Sequence, residues 1–265
     1  MKTPFVSVVM AVHNEEQFLK QAIFSILNQS LNNLELIVVD DYSTDSSPKI
    51  IRSIKDNRLK LLKNSKQLGL TKSLNKALKI ARGEYIARMD ADDISTKERL
   101  KIQVSYLNKH TNIVVVGSWA QYIDKNGNVL KVKKVPLSSV QIKKDIPKYN
   151  PFIHPTLVFR ADVFKKIGLY DENFYYAQDY DLLLRIAKKY KTANIPKNLL
   201  FYRISSDQIS TKTMSRQLMY AFKARLKAMK EGNLSKWRTI HLIKPAISLL
   251  IPQAVKKPLI NLFLR

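Results

Sequence analysis

The stretch Tyr85-Ile86-Ala87-Arg88-Met89-Asp90-Ala91-Asp92-Asp93 begins with apolar residues and ends with three carboxylates. Its first half, Tyr85–Met89, predicts a short buried strand. Two earlier apolar runs are also followed by polar residues, His13-Asn14 after the first and Asp40-Asp41 after the second. Leu34–Val39 ends in Asp40-Asp41, and Phe5–Val12 is a continuous apolar run, as expected of a strand covered on both faces. Since ligands of open parallel sheets bind at the carboxyl ends of the strands, these acids predict a site at one sheet edge.

Segments with helical spacing separate these strands. The first helix is predicted with Asn14 as its cap and with a buried side formed by Phe18, Leu19, Ala22, Ile23, Ile26 and Leu27. The spacing also predicts a short helix over Ser47–Ile54, a strand over Leu59–Leu62, and a helix over Thr71–Arg82 that Gly83 ends. Alternating strands and helices indicate an α/β fold with a mostly parallel, Rossmann-like sheet flanked by helices.

The second half of the chain has a looser pattern. It predicts strands at Ile113–Ile123 and Thr156–Phe159, a hairpin turn at Lys125–Asn128 with a return strand to Val135, a helix ending at Gly168, a helix at Gln178–Tyr190 and a strand at Leu199–Arg203. We therefore predict a catalytic domain over residues 1–211, with halves 1–110 and 111–211, and an extension over 212–265.

Charge and composition narrow the functional classes. The 265 residues include 46 Lys and Arg against 21 Asp and Glu, a net charge of +25, and no cysteine. The absence of cysteine excludes disulfides, thiolate metal sites and cysteine nucleophiles. An apolar content of 45% is too high for a disordered polycation. The charge leaves nucleic acid, anionic lipid or a phosphorylated substrate as partners.

The sequence has no apolar run of the roughly 18 residues that a membrane span needs, and Phe5–Val12 is too short for a secretion signal.

The pair Asp90 and Asp92 predicts a cation site. Carboxylates two residues apart repel each other, and a divalent cation with oxygen ligands relieves the repulsion. The alternative is structural: Asp92, Asp93 or Ser95 caps the helix that contains Leu100.

In order and spacing, seven motifs of residues 5–210 resemble the inverting, family 2-type glycosyltransferases with the GT-A fold of nucleotide-diphospho-sugar transferases. They are Val6-Ser-Val-Val-Met-Ala-Val-His-Asn-Glu15, Val38-Val-Asp-Asp-Tyr-Ser-Thr-Asp45, Leu68-Gly-Leu70, Ala81-Arg-Gly-Glu-Tyr-Ile86, Met89-Asp-Ala-Asp-Asp93, Phe174-Tyr-Tyr-Ala-Gln-Asp-Tyr-Asp181 and Tyr202-Arg203.

The resemblance implies roles for residues on the nucleotide-sugar side. Asp41 is expected to face the uracil ring, and Asp92 to hold Mn²⁺ or Mg²⁺ on the diphosphate. The other expected nucleotide-sugar contacts are Ala11, His13, Glu15, Lys72, Asp90 and Ala91.

On the acceptor side, the resemblance identifies Asp179 as the general base that deprotonates the acceptor hydroxyl. Gln178, where the family usually has Glu, and His154 are assigned as acceptor contacts. From the residues alone, Asp179 is equally an acid in the first turn of its helix. Family members commonly carry a His two residues after Tyr-Arg, and this chain has Ser205 there. Two consequences are open: a lower metal affinity, or a substitute ligand in Asp207 or water.

The extension is strongly basic. Residues 212–265 hold 12 Lys and Arg and one acid, Glu231, and Met214–Lys230 has helical spacing. A basic amphipathic segment with aromatic residues is typical of an interfacial membrane anchor. The alternative is a helix packed on the catalytic domain with a solvated basic face.

The resulting expectation is a metal-dependent transferase at the inner face of the cell membrane, cytoplasmic and peripheral. It would move a hexose from UDP-glucose, UDP-galactose or a UDP-N-acetylhexosamine, with dTDP-rhamnose still open, to a lipid-linked glycan in O-antigen, capsule or other surface-polysaccharide synthesis. Two alternatives remain: an inactive GT-A scaffold and a nucleic-acid-binding protein. No nucleic-acid partner is expected, because the predicted site is acidic and known nucleic-acid-binding motifs are absent from the sequence.

Overall fold

The computed structural model describes residues 4–204 and 214–232. The strands are β1 (Val6–Val12), β2 (Leu34–Asp40), β3 (Leu59–Lys63), β4 (Tyr85–Arg88), β5 (Ile94–Ser95), β6 (Ile113–Ile123), β7 (Val129–Lys133), β8 (Val158–Arg160) and β9 (Lys191–Arg203). The helices are α1 (Leu19–Leu27), α2 (Ser47–Ser53), α3 (Leu70–Ile80), α4 (Arg99–Lys109), α5 (Ser139–Asp145), α6 (Asp162–Ile167), α7 (Gln178–Lys189) and α8 (Met214–Lys230), with a 3₁₀ turn at His154–Thr156.

The strands form one sheet in the order β3-β2-β1-β4-β8-β6-β9-β5, with β7 paired to β6. Strands β1 to β4 are parallel to one another, and β8 is antiparallel to both β4 and β6. Strand β6 therefore runs in the direction of β4, and β9 is parallel to β6. The predicted α/β fold with a mostly parallel sheet is confirmed. The chain runs outward from β1 to β3 and returns to β4 on the other side of β1, which places a topological switch point beside β1.

Helices cover both faces of the sheet. On one face, α1, α2 and α4 bury an apolar cluster against the β1 side chains Val6, Val8, Met10 and Val12. On the other face, α3, α5, α6, α7 and α8 bury a second cluster that includes Val9. Burial on both faces explains why β1 is a continuous apolar run rather than an alternating one.

A buried carboxylate joins the strands at the sheet edge opposite the acidic loops. Glu35, 3% exposed, accepts hydrogen bonds from Ser7 Oγ (2.5 Å), Lys60 Nζ (2.6 Å) and the Arg82 amide (2.9 Å). Burial alone would raise the pKa of Glu35, but the hydrogen bonds from Lys60, Ser7 and Arg82 outweigh it and lower the pKa. The adjacent Gly83 leaves no room for a side chain, since a Cβ there would lie 2.4 Å from the Ser7 nitrogen.

Several local predictions differ from the structure. Asn14 does not cap α1: it has a positive φ of 56°, and its side chain accepts from the Thr44 amide instead. Strand β9 begins eight residues earlier than predicted, because it pairs with β6 along nearly its whole length. The hairpin turn after β6 has a positive φ at Gly127, and Asp124 holds it by accepting from the Asn126 and Asn128 amides.

The predicted division of the chain stays a prediction. The boundary at residue 110 falls between α4 and β6, inside one continuous sheet. Helix α8, the first part of the basic extension, packs on α7 with Ala224 and Ala228 buried. Residues 233–265 lie outside the described residues. Among the described helices, none is long and apolar enough to cross a membrane.

The hydrogen bonds of Glu35 predict that the stability of the fold depends on pH. Glu35→Gln should lower the free energy of unfolding at pH 7 by about 1.5–3 kcal/mol, because charge-assisted hydrogen bonds are lost. A carboxyl group whose folded pKa is lowered stabilises the fold above its unfolded pKa of about 4.3. The difference in unfolding free energy between Glu35→Gln and the wild type should therefore shrink as the pH falls through the folded pKa of Glu35. Urea denaturation at several pH values measures it, with the exposed Glu98→Gln as the control. An equal effect of both substitutions would contradict the assignment.

Candidate active site

Loops from three neighbouring strands meet at the carboxyl edge of the sheet. Strand β1 leads into His13, β2 into Asp41, and β4 into Asp90, Asp92 and Asp93. Single carboxylate oxygens of the last three residues lie within 4.8 Å of one another. The predicted gathering of acids at this edge is therefore present.

Asp93 is the buried member of this cluster, and burial beside two other carboxylates disfavours its charged form. Asp93 is 1% exposed, its Oδ1 accepts from the Arg203 amide at 2.8 Å, and its Oδ2 is buried without a hydrogen-bond partner. Burial and the neighbouring Asp92 and Asp90 raise the pKa of Asp93. Asp93 was counted at this edge from the sequence, but no role was assigned to it.

Glu15, in the loop after β1, is affected by the charges of the same acidic loop. Burial, followed by the charges of Asp92, Asp90 and Asp45, raises its pKa to about 8. Its backbone amide is fixed by a hydrogen bond to Ser47 Oγ at 2.9 Å. The charges of Asp90 and Asp92 therefore raise the pKa of both Glu15 and Asp93.

The donor set fits a hard divalent cation. Three carboxylates of one loop supply oxygen atoms, and a buried oxygen of Asp93 has no other partner. The alternative that these residues cap the following helix does not hold, because the N-cap of α4 is Glu98. Asp90, Asp92 and Asp93 would hold Mn²⁺ or Mg²⁺.

Two arginines hold the acidic loop. Arg88, 2% exposed at the end of β4, forms an ion pair with Asp90. Arg203, at the end of β9, donates from Nε to the Asp92 carbonyl at 2.9 Å. Its Nη1 bonds the carbonyls of Asp124 and Lys125, both at 3.0 Å, and its guanidinium lies 4.0 Å from the Phe18 ring centroid. The planar fork of Arg203 thus connects β9, the hairpin after β6 and the acidic loop.

A pair of tyrosines borders the acidic loop. The rings of Tyr122 on β6 and Tyr202 on β9 lie 5.0 Å apart. Burial, followed by the charge of Asp93, raises the pKa of both phenols, so they stay protonated. Tyr122 was missed from the sequence, because it lies in a long strand that pairs with β9 only in the folded structure.

Asp41 has a structural role that the sequence did not show. Its carboxylate, 3% exposed, accepts from Asn64 Nδ2 (2.7 Å) and from the amides of Leu68 and Gly69 (both 2.8 Å). Its backbone carbonyl lies 2.9 Å from His13 Nδ1. Asp41 therefore fixes the loop before α3, and contact with a nucleobase stays a prediction.

The other residues predicted on the nucleotide-sugar side differ in position. Ala11 is half-buried near the end of β1, and Ala91, between Asp90 and Asp92 in the sequence, is buried. Lys72 is exposed in the first turn of α3, beside the loop that Asp41 fixes. Ser205 and Asp207 lie outside the described residues.

Asp179 lies in the first turn of α7, after Ala177 with its positive φ of 54°. Its Oδ2 accepts from Asn150 Nδ2 at 2.7 Å. Burial raises the pKa of Asp179, and the Tyr180 amide, Arg88 and Asn150 partly offset the increase. A carboxylate with a raised pKa is a better proton acceptor than an ordinary one. Asn150 was missed, because a lone Asn before Pro has no distinctive pattern.

His154 is brought to the same region. Its Nε2 lies 2.9 Å from the Tyr170 hydroxyl. Burial, followed by the charge of Arg88, lowers the pKa of His154, so the ring is neutral. Gln178 is buried at the start of α7. Arg88 is thus paired with Asp90 on one side and acts electrostatically on His154 and Asp179 on the other.

The contacts of Arg203 predict its effect on metal affinity. Arg203→Lys should weaken Mn²⁺ binding in the presence of UDP by roughly 10–100-fold, because a lysine cannot hold the acidic loop and the hairpin together. Isothermal titration calorimetry measures the affinity, and the exposed Arg52→Lys on α2 is the control. Unchanged Mn²⁺ affinity in a folded Arg203→Lys protein would show that the loop holds its geometry without the fork.

Known proteins are similar to this chain in sequence and in fold. The model of glycosyl transferase family 2 matches residues 7–168. An uncharacterized glycosyltransferase of Methanocaldococcus jannaschii is 39% identical, covering 84% of this chain and 78% of that protein. The O-antigen biosynthesis glycosyltransferase WbnJ of Escherichia coli is 36% identical, covering 75% of this chain and 79% of that protein.

Solved structures show the same architecture. The mannosyltransferase PcManGT from Pyrobaculum calidifontis, in complex with GDP-Man and Mn²⁺, has a TM-score of 0.68 at 19% identity over 94% of this chain and 70% of that one. S. aureus TarS 1-349, in complex with UDP-GlcNAc, has a TM-score of 0.66 at 21% identity over 92% and 71%. These likenesses confirm the fold. With a family model that spans more than half of its length and relatives above 30% identity, the chain belongs to glycosyl transferase family 2.

Proposed function

We propose that this glycosyltransferase moves a hexose from a nucleoside diphosphate sugar to a hydroxyl of a glycan, with inversion and with a divalent cation. The observation that carries the proposal is the presence of two different carboxylate sites that both interact with Arg88. The crowded cluster of Asp90, Asp92 and Asp93 suits a cation, and the separate, hydrogen-bonded Asp179 suits a base.

On the donor side, Asp92 is the proposed metal ligand, with Asp90 and Asp93 beside it. The loop fixed by Asp41 and the exposed Lys72 are proposed to border the nucleotide. A divalent cation in this cluster would stabilise the negative charge that develops on the leaving diphosphate. Two neighbours with this fold carry a UDP sugar and a GDP sugar, which supports a nucleotide sugar as the donor class.

On the acceptor side, Asp179 is proposed to take the proton of the attacking hydroxyl. Its Oδ2 accepts a hydrogen bond from Asn150, which orients the carboxylate. The acceptor oxygen forms a bond to the anomeric carbon as the bond from that carbon to the diphosphate oxygen breaks. The displacement is a single step, so one base is enough and no covalent glycosyl-enzyme is formed. His154 and Gln178 are proposed to contact the acceptor.

We propose UDP-glucose, UDP-galactose or a UDP-N-acetylhexosamine as the donor and a lipid-linked surface glycan as the acceptor. The similarity to an O-antigen biosynthesis glycosyltransferase supports a role in surface-polysaccharide synthesis. Residues 212–265 carry 12 of the 46 Lys and Arg, which supports contact with an anionic membrane at its cytoplasmic face.

The metal assignment predicts the behaviour of Asp92→Ala. This substitution should abolish the Mn²⁺-dependent part of UDP binding, because it removes the proposed ligand from the acidic loop. Calorimetry with UDP, in Mn²⁺ and in EDTA, measures it. Asp162→Ala, an exposed acid on α6, is the control and should bind like the wild type. Wild-type affinity of Asp92→Ala in Mn²⁺ would sink the metal assignment.

The base assignment predicts the behaviour of Asp179→Asn. UDP release from a panel of UDP-sugars in Mn²⁺, with simple alkyl glycosides as acceptors, should fall by about 10²–10⁴-fold, because the base is lost. UDP affinity should be unchanged, since Asp179 is not on the nucleotide side. In the wild type, the rate should fall with decreasing pH at an apparent pKa above that of an ordinary aspartate, as the raised pKa of Asp179 requires. Retained turnover in Asp179→Asn would place the base elsewhere.

A further inference from the structure

The basic helix α8 contacts the segments that carry Asp179 and Asn150. It lies beyond the part of the chain that the family model matches, residues 7–168. Its buried residues Ala224 and Ala228 let it pack closely on α7. Between them lies Arg225, 7% exposed, whose charged group points into the protein rather than toward solvent.

Arg225 joins two segments that are distant in sequence. Its Nε donates to the Tyr180 hydroxyl at 2.9 Å, and its Nη2 donates to the Lys148 carbonyl. The guanidinium also lies 5.5 Å from the centroid of the Tyr180 ring. Tyr180 directly follows Asp179, and Lys148 lies two residues before Asn150. One side chain of α8 therefore bonds Tyr180, next to Asp179, and Lys148, two residues before Asn150.

The segment that carries Asn150 is fixed at successive points. The Ile146 carbonyl accepts from the Tyr180 hydroxyl, and the Lys148 carbonyl accepts from Arg225. Asn150 itself uses Oδ1 to accept from the Phe152 amide at 3.2 Å, which directs its Nδ2 toward Asp179. Within the described residues, Tyr180 and Arg225 are the groups that bond these two carbonyls, so the segment before Asn150 is tied to both α7 and α8.

A second cation of α8 holds the same turn of α7. Lys227 Nζ lies 2.9 Å from Asp181 Oδ1 and 2.8 Å from Asp171 Oδ2. Asp181 is buried and also accepts from Arg185 Nε at 2.9 Å. The first turn of α7, with Asp179 between Gln178 and Tyr180, is therefore held from α8 by both Arg225 and Lys227.

We propose that α8 is a positioning element of the active site, in which Arg225, through Tyr180 and the Lys148 carbonyl, holds Asn150 and Asp179 in the geometry for proton transfer. This inference rests on the proposed role of Asp179 as the base. It gives the first helix of the basic extension a task inside the catalytic domain, separate from contact with a membrane. A small displacement of a positioned group is enough to lower a rate substantially.

Arg225→Met tests the inference, since it keeps the apolar stem and removes all donors. Hydrogen–deuterium exchange should rise in residues 146–150 and 177–182. Turnover of the best UDP-sugar in the panel should fall by about 10-fold or more, with UDP affinity in Mn²⁺ unchanged. The acid limb of the pH–rate profile should move to higher pH, because Asp179 loses the hydrogen bond from Asn150. Arg225→Lys should restore part of the rate, and the exposed Arg216→Met on the same helix should behave like the wild type.

Tyr180→Phe is the alternative test if Arg225→Met does not fold, because this substitution removes only the hydroxyl that bonds Arg225 and the Ile146 carbonyl. It should shift exchange and rate in the same direction by a smaller factor. Wild-type exchange in residues 146–150, in either folded variant, would overturn the inference whatever the rate. The exchange measurement needs no substrate. Retained turnover in Asp179→Asn would therefore refute the base assignment while the contact of α8 with these segments is still measured independently.

Discussion

Repulsion among carboxylates at one edge of the sheet is the constraint on which the site depends. Asp90, Asp92 and Asp93 place oxygens within 4.8 Å of one another, and Glu15 joins their field with its pKa raised to about 8. Such a cluster destabilises the fold unless cations compensate for it. The chain supplies part of the compensation through Arg88 and Arg203, whereas the buried Asp93 Oδ2 keeps no partner. The remaining charge is the reason to expect a divalent ion.

Neighbouring strands of the sheet connect this cluster with the region of Asp179, the proposed base. Strand β4 carries Arg88 and the acidic loop, and the adjacent β8 follows the turn that contains His154. Arg88 is buried and paired with Asp90. Burial is the larger cause of the lowered pKa of His154, and the charge of Arg88 adds to it. Burial also raises the pKa of Asp179, and Arg88 is one of the groups that oppose this increase.

Much of the nucleotide-sugar half was predictable from the sequence, because its signals are local. Apolar runs predicted β1, β2 and β4, two of them followed by acids, and strand ends in a parallel sheet must share an edge. The signals in the second half are not local. Asn150, Tyr122 and Arg225 reach their partners only through pairing of β6 with β9 and packing of α8 on α7. Asp41 shows another limit: a motif predicts that a carboxylate matters, whereas the structure shows it accepting from Asn64, Leu68 and Gly69.

The net charge of +25 acquires a more specific meaning in the structure. Part of the positive charge is internal: Arg88, Arg203 and Arg225 are buried and hold carboxylates, carbonyls and a phenol. The most direct test of the account is a crystal structure grown with UDP and Mn²⁺, with anomalous diffraction data collected at the manganese edge. The account predicts one anomalous peak between the diphosphate and the carboxylate of Asp92. Bound UDP with no peak there, or with manganese held elsewhere, would contradict it.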